Sequence, residues 1–205
     1  MAPRDDGPRQ LRERIRVEPE PTKGSRFIAT AVPVPDEAAA KQALAELRAR
    51  MPDATHHCSA WRLASPNLER ANDDGEPGGS AGRPILAQLQ GRNLVNAAVI
   101  VTRYYGGTKL GVGGLVRAYG GAAAAALDEA HTEPYVPTVA LRIQHGYPDT
   151  DVVDRLLSEA HVTQREVDYG TDICRDVEVA VDQLDALADA LRDATRGRAR
   201  VQRVD

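Results

Sequence analysis

An α+β fold in two domains is predicted by three features of this 205-residue chain. A proline-bearing stretch, Glu133–Pro137, separates segments of different charge. Beyond it the pattern runs strand, helix, strand, strand, helix, strand, the order of the ferredoxin-like split βαβ unit. Before it, alternating and continuous apolar runs are interleaved with glycine-rich loops that open helices. The domains are drawn as a flexible tail over 1–20, a β-α domain over 21–134 and a βαββαβ domain over 137–205.

Residues 1–20, rich in Arg, Glu and Pro, are expected to be mobile. Phe27–Val34 alternates and is partly β-branched, which predicts a strand closed by Pro33 and Pro35. Asp36 is a fair N-cap for a helix through Arg50, with Ala40, Leu44 and Leu47 at helical spacing. Thr55–Leu63 is a second strand, and Ala64–Arg83, with its Ser, Pro, Asn, Asp and Gly, is a loop. Arg83-Pro84 starts a short helix carrying Ile85, Leu86 and Leu89. Asn96–Tyr105 is near-continuously apolar up to Val101, as in a strand buried on both faces. A helix follows from about Gly114 to Ala130. Each interior glycine of that helix costs about 1 kcal/mol against alanine, so close packing or a ligand is expected at Gly120 and Gly121. Past Glu133–Pro137 come strand Val139–Gln144, helix Thr150–Ala160, strands Val162–Tyr169 and Ile173–Val181, helix Leu184–Ala194 and strand Arg198–Val204.

Hydrophobic content of 42% and charged content of 27% fit an ordinary soluble protein. Residues 1–136 carry 17 Lys/Arg and 16 Asp/Glu, net +1, whereas residues 137–205 carry 9 Arg and 14 Asp/Glu, net −5. Neither half is a polybasic nucleic-acid binder on charge alone. Met1–Gln10 has no signal-peptide character and no run is long enough to span a bilayer. Cys58 and Cys174 fall in different predicted domains, so no disulfide is expected and the cytoplasm is the predicted compartment. No oligomeric state follows from the sequence.

Chemistry concentrates in residues 73–121. The loop Asp73-Asp74-Gly75-Glu76-Pro77-Gly78-Gly79-Ser80-Ala81-Gly82 sets three carboxylates before glycines and a serine. Asp73, Asp74 and Glu76 could hold Mg²⁺ or contact an Arg, a base or an amine, and Ser80 with the amides near Pro84 could hold an anion. The spacing is not that of an EF-hand. The second loop, Gly106-Gly107-Thr108-Lys109-Leu110-Gly111-Val112-Gly113-Gly114, follows a strand and opens a helix, the right context for phosphate. A Rossmann fingerprint fails at Val116 and a Walker A loop fails at Leu110, which leaves a generic anion nest with Lys109 as a point charge. Arg103 shares a strand face with Val101; it can present its fork to phosphate or form an internal ion pair with Asp73, Asp74 or Glu76. Tyr104 and Tyr105 point to opposite faces, one to the core and one free to stack. His56-His57-Cys58 lacks a second ligand pair, so zinc is not expected, and His56 or His57 stands as a pocket-lining donor or a structural histidine. No nucleophile signature is present, since Ser80 has no sequence-local base. The two glycine turns are expected to converge on one anionic guest.

Read in order, Lys23-Gly24-Ser25-Arg26-Phe27, His56-His57-Cys58-Ser59-Ala60-Trp61-Arg62, the DDGEP loop and Val101-Thr102-Arg103-Tyr104-Tyr105-Gly106-Gly107-Thr108-Lys109-Leu110-Gly111, followed by Gly113-Gly114-Leu115-Val116-Arg117-Ala118-Tyr119, closely resemble the IMPACT family in its bacterial YigZ form. The resemblance covers about residues 23–205. Ser80 stands where threonine is usual in that family, and Trp61 where tyrosine is common. It implies an N-terminal domain with the β-α fold of a small-subunit ribosomal protein domain, the ribonuclease P protein and the fourth domain of elongation factor G. It further implies a ferredoxin-like C-terminal domain similar to that factor's fifth. Eukaryotic relatives regulate translation by competing for the activator of a starvation-responsive initiation-factor kinase. They do so through an additional N-terminal domain that this chain is not expected to carry.

Three functions are compatible with these residues. The first is a non-enzymatic binding module for RNA on the ribosome or a translation complex. Its ligand-contacting set is Lys23, Arg26, His57, Asp73, Asp74, Glu76, Ser80, Arg103, Tyr104, Gly106, Gly107, Lys109, Gly111, Gly113, Gly114 and Arg117, with no catalytic residue, resident metal or required cofactor. The second is an enzyme on a phosphorylated or nucleotide substrate, with Mg²⁺ on the carboxylates. The third is a regulator whose acidic C-terminal domain docks on a basic protein.

Overall fold

A strand buried on both faces needs cover above and below it, and Ala97–Val101 has both. In the computed structural model, which describes residues 7–204, the chain divides after Tyr135 into two compact units. The first contains β1 (Arg9–Leu11), β2 (Ile15–Val17), β3 (Arg26–Pro33), α1 (Glu37–Arg50), β4 (His56–Leu63), β5 (Leu68–Asn72), α2 (Gly82–Gly91), β6 (Ala97–Tyr104), α3 (Val112–Asp128) and β7 (Thr132–Pro134). Five strands make one antiparallel sheet in the order β2-β3-β6-β4-β5, while β1 pairs with β7 as a separate ribbon.

Helix α1 covers one face of the sheet, setting Ala40, Ala43 and Leu47 on Ile28, Trp61, Leu63 and Ile100. Helices α2 and α3 cover the other, with Ile85, Leu89, Leu115 and Tyr119 on Phe27, Ala29, Cys58, Val99 and Val101. Burial of one such leucine contributes about 1.5–3 kcal/mol, so each helix is held mainly by its apolar stripe. Asp36 starts α1 by accepting the Ala39 N–H at 2.7 Å. The period of two on β6 then sorts its residues: 97, 99, 101 and 103 face α2 and α3, and 98, 100, 102 and 104 face α1.

The second unit contains β8 (Thr138–His145), α4 (Thr150–Glu159), β9 (Thr163–Tyr169), β10 (Ile173–Ala180), α5 (Leu184–Ala194) and β11 (Arg200–Arg203). Its antiparallel sheet has the order β11-β8-β10-β9, with Leu141, Ile143, Val177 and Val179 under Val153, Leu157, Leu187 and Leu191 of the two helices. The overall class is α+β, as read from the sequence. Among the described residues no helix is long and apolar enough to cross a membrane.

Three expectations are corrected. The tail predicted over 1–20 is ordered strand at residues 9–11 and 15–17; residues 1–6 lie outside the described ones. Leu11 is buried in the core, and Ile15–Val17 extends the sheet beside β3. Residues 68–72, expected as loop, form β5, which folds back on β4 with Leu68 opposite Leu63 and Glu69 bonded to Arg62. Residues 133 and 134, expected as linker, belong to β7, which starts at Thr132.

Candidate functional site

The site grows from one row of the sheet. Pairing aligns Phe27 of β3, Arg103 of β6 and His56 of β4 side by side on the face toward α2 and α3. Above this row comes Glu76, carried by the loop between β5 and α2. Its Oε1 accepts from Arg103 Nη1 at 2.5 Å and from the hydroxyl of Tyr119, on α3, at 2.7 Å. His56 Nε2 lies 3.8 Å from the same oxygen, and its Nδ1 donates to the Asp74 carbonyl at 2.7 Å. Both side chains of the Arg103–Glu76 pair are about 95% buried, showing 6% and 5% of their surfaces. The internal ion pair is therefore the outcome for Arg103, with Glu76 chosen from the three candidate carboxylates.

The guanidinium is also flanked by aromatic rings, 5.6 Å from the centre of Phe27 and 5.4 Å from that of Tyr105. Its Nη2 donates to Ser25 Oγ at 3.3 Å, and its Nε is buried with no acceptor. Tyr119 packs edge-on against Phe27, ring centres 5.1 Å apart. Burial, then the neighbouring Cys58 and Glu76, push the Tyr119 phenol up, so it stays a donor. Burial likewise pushes the Cys58 thiol up to about 12, and it donates to the Asp73 carbonyl. A thiol so held is structural rather than nucleophilic.

Beside this buried cluster opens a cleft of about 480 Å³. Glu76, Arg103 and Tyr105 line one side, Lys109 stands with them, and Leu110, Val112 and Leu115 supply apolar wall. Gly111 and Val112 bring the start of α3 to the cleft, where the first intrahelical bond runs from Leu115 N–H to Gly111 carbonyl at 2.9 Å. The amides before it have no partner within the helix. The backbone here is closely packed: a Cβ on Gly106 would stand 1.9 Å from the carbonyl carbon of Gly24, so the turn at 22–25 fits only a glycine.

The expected convergence of two amide turns on one anion does not occur, because Asp73 fills the first turn itself. Its Oδ2 accepts from Gly79 N–H at 2.7 Å, and its Oδ1 from Ala81 and Gly82 N–H at 2.9 and 2.8 Å. Burial opposes ionisation of Asp73, but these three donors outweigh it and hold the carboxyl below its ordinary range. Gly82 is also fixed by contact, since a Cβ there would meet Asn72 N at 2.5 Å. Asp74 accepts the His57 backbone N–H at 2.6 Å and pairs with Arg48. The carboxylates expected to share Mg²⁺ thus have separate protein partners, and among the described residues no group of three or more His, Cys, Asp or Glu is arranged to hold a metal ion. Ser80 is fully buried.

Other expected members face elsewhere. His57 lies on the α1 side, donating from Nε2 to the Met51 carbonyl at 3.1 Å and accepting from the Thr102 hydroxyl at 3.0 Å. Burial lowers its pKa and keeps it neutral. Tyr104 is on that same side, bonded to Asp53 and covered by Arg26, which itself pairs with Glu18. Tyr105, past the strand end, is the tyrosine of the cleft. Lys23 sits in the turn before β3, at φ 48°. Gly113, Gly114 and Arg117 belong to the first turns of α3, and Gly107 is open to either side. Tyr119 was missed because it sits among the buried stripe of α3; a tyrosine hydroxyl in an apolar stripe is itself the signal, since it must find a partner.

Comparison with known proteins places both units. Residues 23–127 match the Impact N-terminal domain, and residues 143–198 match the Domain of unknown function (DUF1949). The chain is 36% identical over 181 residues to IMPACT family member YigZ of Escherichia coli (strain K12), covering 87% of this chain and 89% of that protein. It is 44% identical over 143 residues to the IMPACT family member in pol 5'region of Thermus thermophilus, covering 69% of this chain and 76% of the relative. A solved structure described as the crystal structure of an hypothetical protein matches with TM-score 0.72 and 33% identity, over 96% of this chain and 97% of that one. Matches of this extent across both units establish that the chain belongs to the IMPACT family.

Proposed function

We propose that the first unit is a non-enzymatic binding module for single-stranded RNA, acting in the cytoplasm on the translation apparatus. The observation that carries this reading is the cleft: the exposed ring of Tyr105, backed by the Arg103 guanidinium, faces apolar wall beside Lys109 and the start of α3. A volume of about 480 Å³ suits one nucleotide unit. Tyr105 offers a stacking surface for a base, while Lys109 and the free amides of α3 suit its phosphate. With nearly balanced charge over residues 1–136, contact is confined to this site rather than spread along a backbone.

Fluorescence anisotropy with a labelled octamer of single-stranded RNA tests this. Tyr105→Ala is expected to weaken binding by about 1–3 kcal/mol, the worth of one stacked base. Lys109→Ala is expected to weaken it for all sequences and reduce the salt slope by about one. An octamer that binds both variants as it binds the parent defeats the proposal.

A second reading, turnover of a phosphorylated or nucleotide substrate, is favoured by one observation: a buried carboxylate, Glu76, reaches the same cleft. It predicts product release from a nucleotide, lost in Glu76→Gln, and a ligand-induced thermal shift that requires Mg²⁺.

A further inference from the structure

Glu76 meets the cleft with half of its hydrogen-bonding capacity unspent. Oε1 accepts from Arg103 and Tyr119 and has His56 at 3.8 Å; Oε2 has no protein donor among the described residues. Oε2 is also not among the fully buried unpartnered atoms, although the side chain as a whole shows only 5% of its surface. The remaining opening is the cleft that Glu76 lines. An ion-paired carboxylate accepts and does not donate, so it selects N–H or O–H groups on whatever enters. Two bonds from different elements anchor Oε1, which holds the carboxylate at the edge of the cleft.

Building on the RNA reading above, we propose that Glu76 Oε2 reads the base edge and that the preferred base is guanine. Among the four bases guanine alone presents two adjacent N–H donors, N1–H and the 2-amino group, on one edge. Adenine and cytosine set a ring acceptor beside their amino group, and uracil flanks its single N–H with two carbonyl oxygens. On that edge each offers one donor beside an acceptor, a poorer match to an anionic oxygen than the two donors of guanine. Stacking on Tyr105 places a base in the cleft whatever its identity; the unpaired oxygen then discriminates among bases by the edge they offer. Asp73 and Asp74 cannot substitute, because their oxygens are bound to main-chain N–H groups and Arg48.

The test uses the full chain and four octamers, all-uridine except for one central G, A, C or U, with a fifth carrying inosine in place of G. Anisotropy should show the G octamer binding about tenfold or more tighter than the all-U octamer, the ratio an unmade bond to a desolvated charged acceptor produces. Inosine, which lacks the 2-amino group, should fall between them. Glu76→Gln should lose the difference between G and U; the inosine comparison gives the same information without altering the protein, should that variant fold poorly. A preference for A or C, or equal binding by G and inosine, overturns the guanine assignment. Equal binding of all octamers that still depends on Tyr105 overturns the base-edge inference and leaves the stacking site standing. Failure of every octamer to bind overturns both.

Discussion

Each unit buries one arginine on an inner strand, and the two are satisfied in different ways. Arg175 of β10 donates from Nε to His145 at 3.0 Å and from Nη1 to Gln164 at 3.1 Å, and its Nη1 forms an ion pair with Asp154 at 2.7 Å. Its partners come from a strand, a strand and a helix, and Asp154 keeps 53% of its side-chain surface in solvent. Arg103 of β6 depends on a single buried carboxylate, with a serine hydroxyl and two rings beside it. That carboxylate keeps one oxygen for the cleft. A charge spread over several neutral and half-exposed partners is architecture, whereas one balanced by a buried group shared with a cavity couples stability to what the cavity holds.

The sharpest way to break this contrast is Glu76→Ala. Removing the one carboxylate that pairs with this buried guanidinium among the described residues should cost about 3–5 kcal/mol. Urea unfolding followed through Trp61, the chain's one tryptophan and a residue of the first unit, reads it directly. Arg175→Met should cost less, about 1–3 kcal/mol by amide hydrogen exchange in the second unit, because His145 and Gln164 lose donors while Asp154 returns to water. Asp154→Ala should fall below both, at about 0–1 kcal/mol, since a half-exposed partner is screened. If the Asp154 and Glu76 variants proved equally damaging, the distinction between the two arginines would dissolve.

A gentler probe is pH. The folded pKa of His57 is lowered from 6.5 by burial, so the unfolded chain takes up the proton first as pH falls. The stability it contributes is complete above about 6.5 and declines below that, down to its folded value. For Asp73 the folded value lies below 3.8; its contribution is present above that value and is lost as pH falls through the lowered one. Unfolding midpoints by Trp61 fluorescence should therefore begin to drop below pH 6.5 and drop again in strong acid, the second fall being smaller in Asp73→Asn, where Glu18 and Glu133 still contribute. The last effect is a gain. Gly121, inside α3, has nothing within 4 Å of a would-be Cβ, so Gly121→Ala should add about 1 kcal/mol. The close packing expected at that glycine is not there.

Elements that rest on local chemistry were legible in the sequence. Asp36 caps α1 and Pro84 sits in the first turn of α2, which begins at Gly82, because those choices are made within one turn of chain. The strands β1, β2 and β5 were not legible: they are short and charged, and they exist because a neighbour offers a free edge. The site followed the same divide. Two glycine loops and a strand end could be located, but the engagement of Arg103 with Glu76 joins residues 27 apart and depends on tertiary placement. Main-chain amides at 79, 81 and 82 looked available because nothing in the sequence shows that Asp73 turns back onto them. One error was avoidable: once Arg103 is set on the face toward α3, strand parity sends Tyr104 to the opposite side.

The ribbon of β1 with β7 joins residues 9–11 to 132–134. During synthesis the earliest segment must wait, unmatched, until more than a hundred later residues have left the ribosome. Closing so long a circuit is slow relative to local hairpins and helices. The first unit can then complete itself only after almost all of its own length exists, and its two ends finish as neighbours, a natural place to join old termini and cut new ones elsewhere.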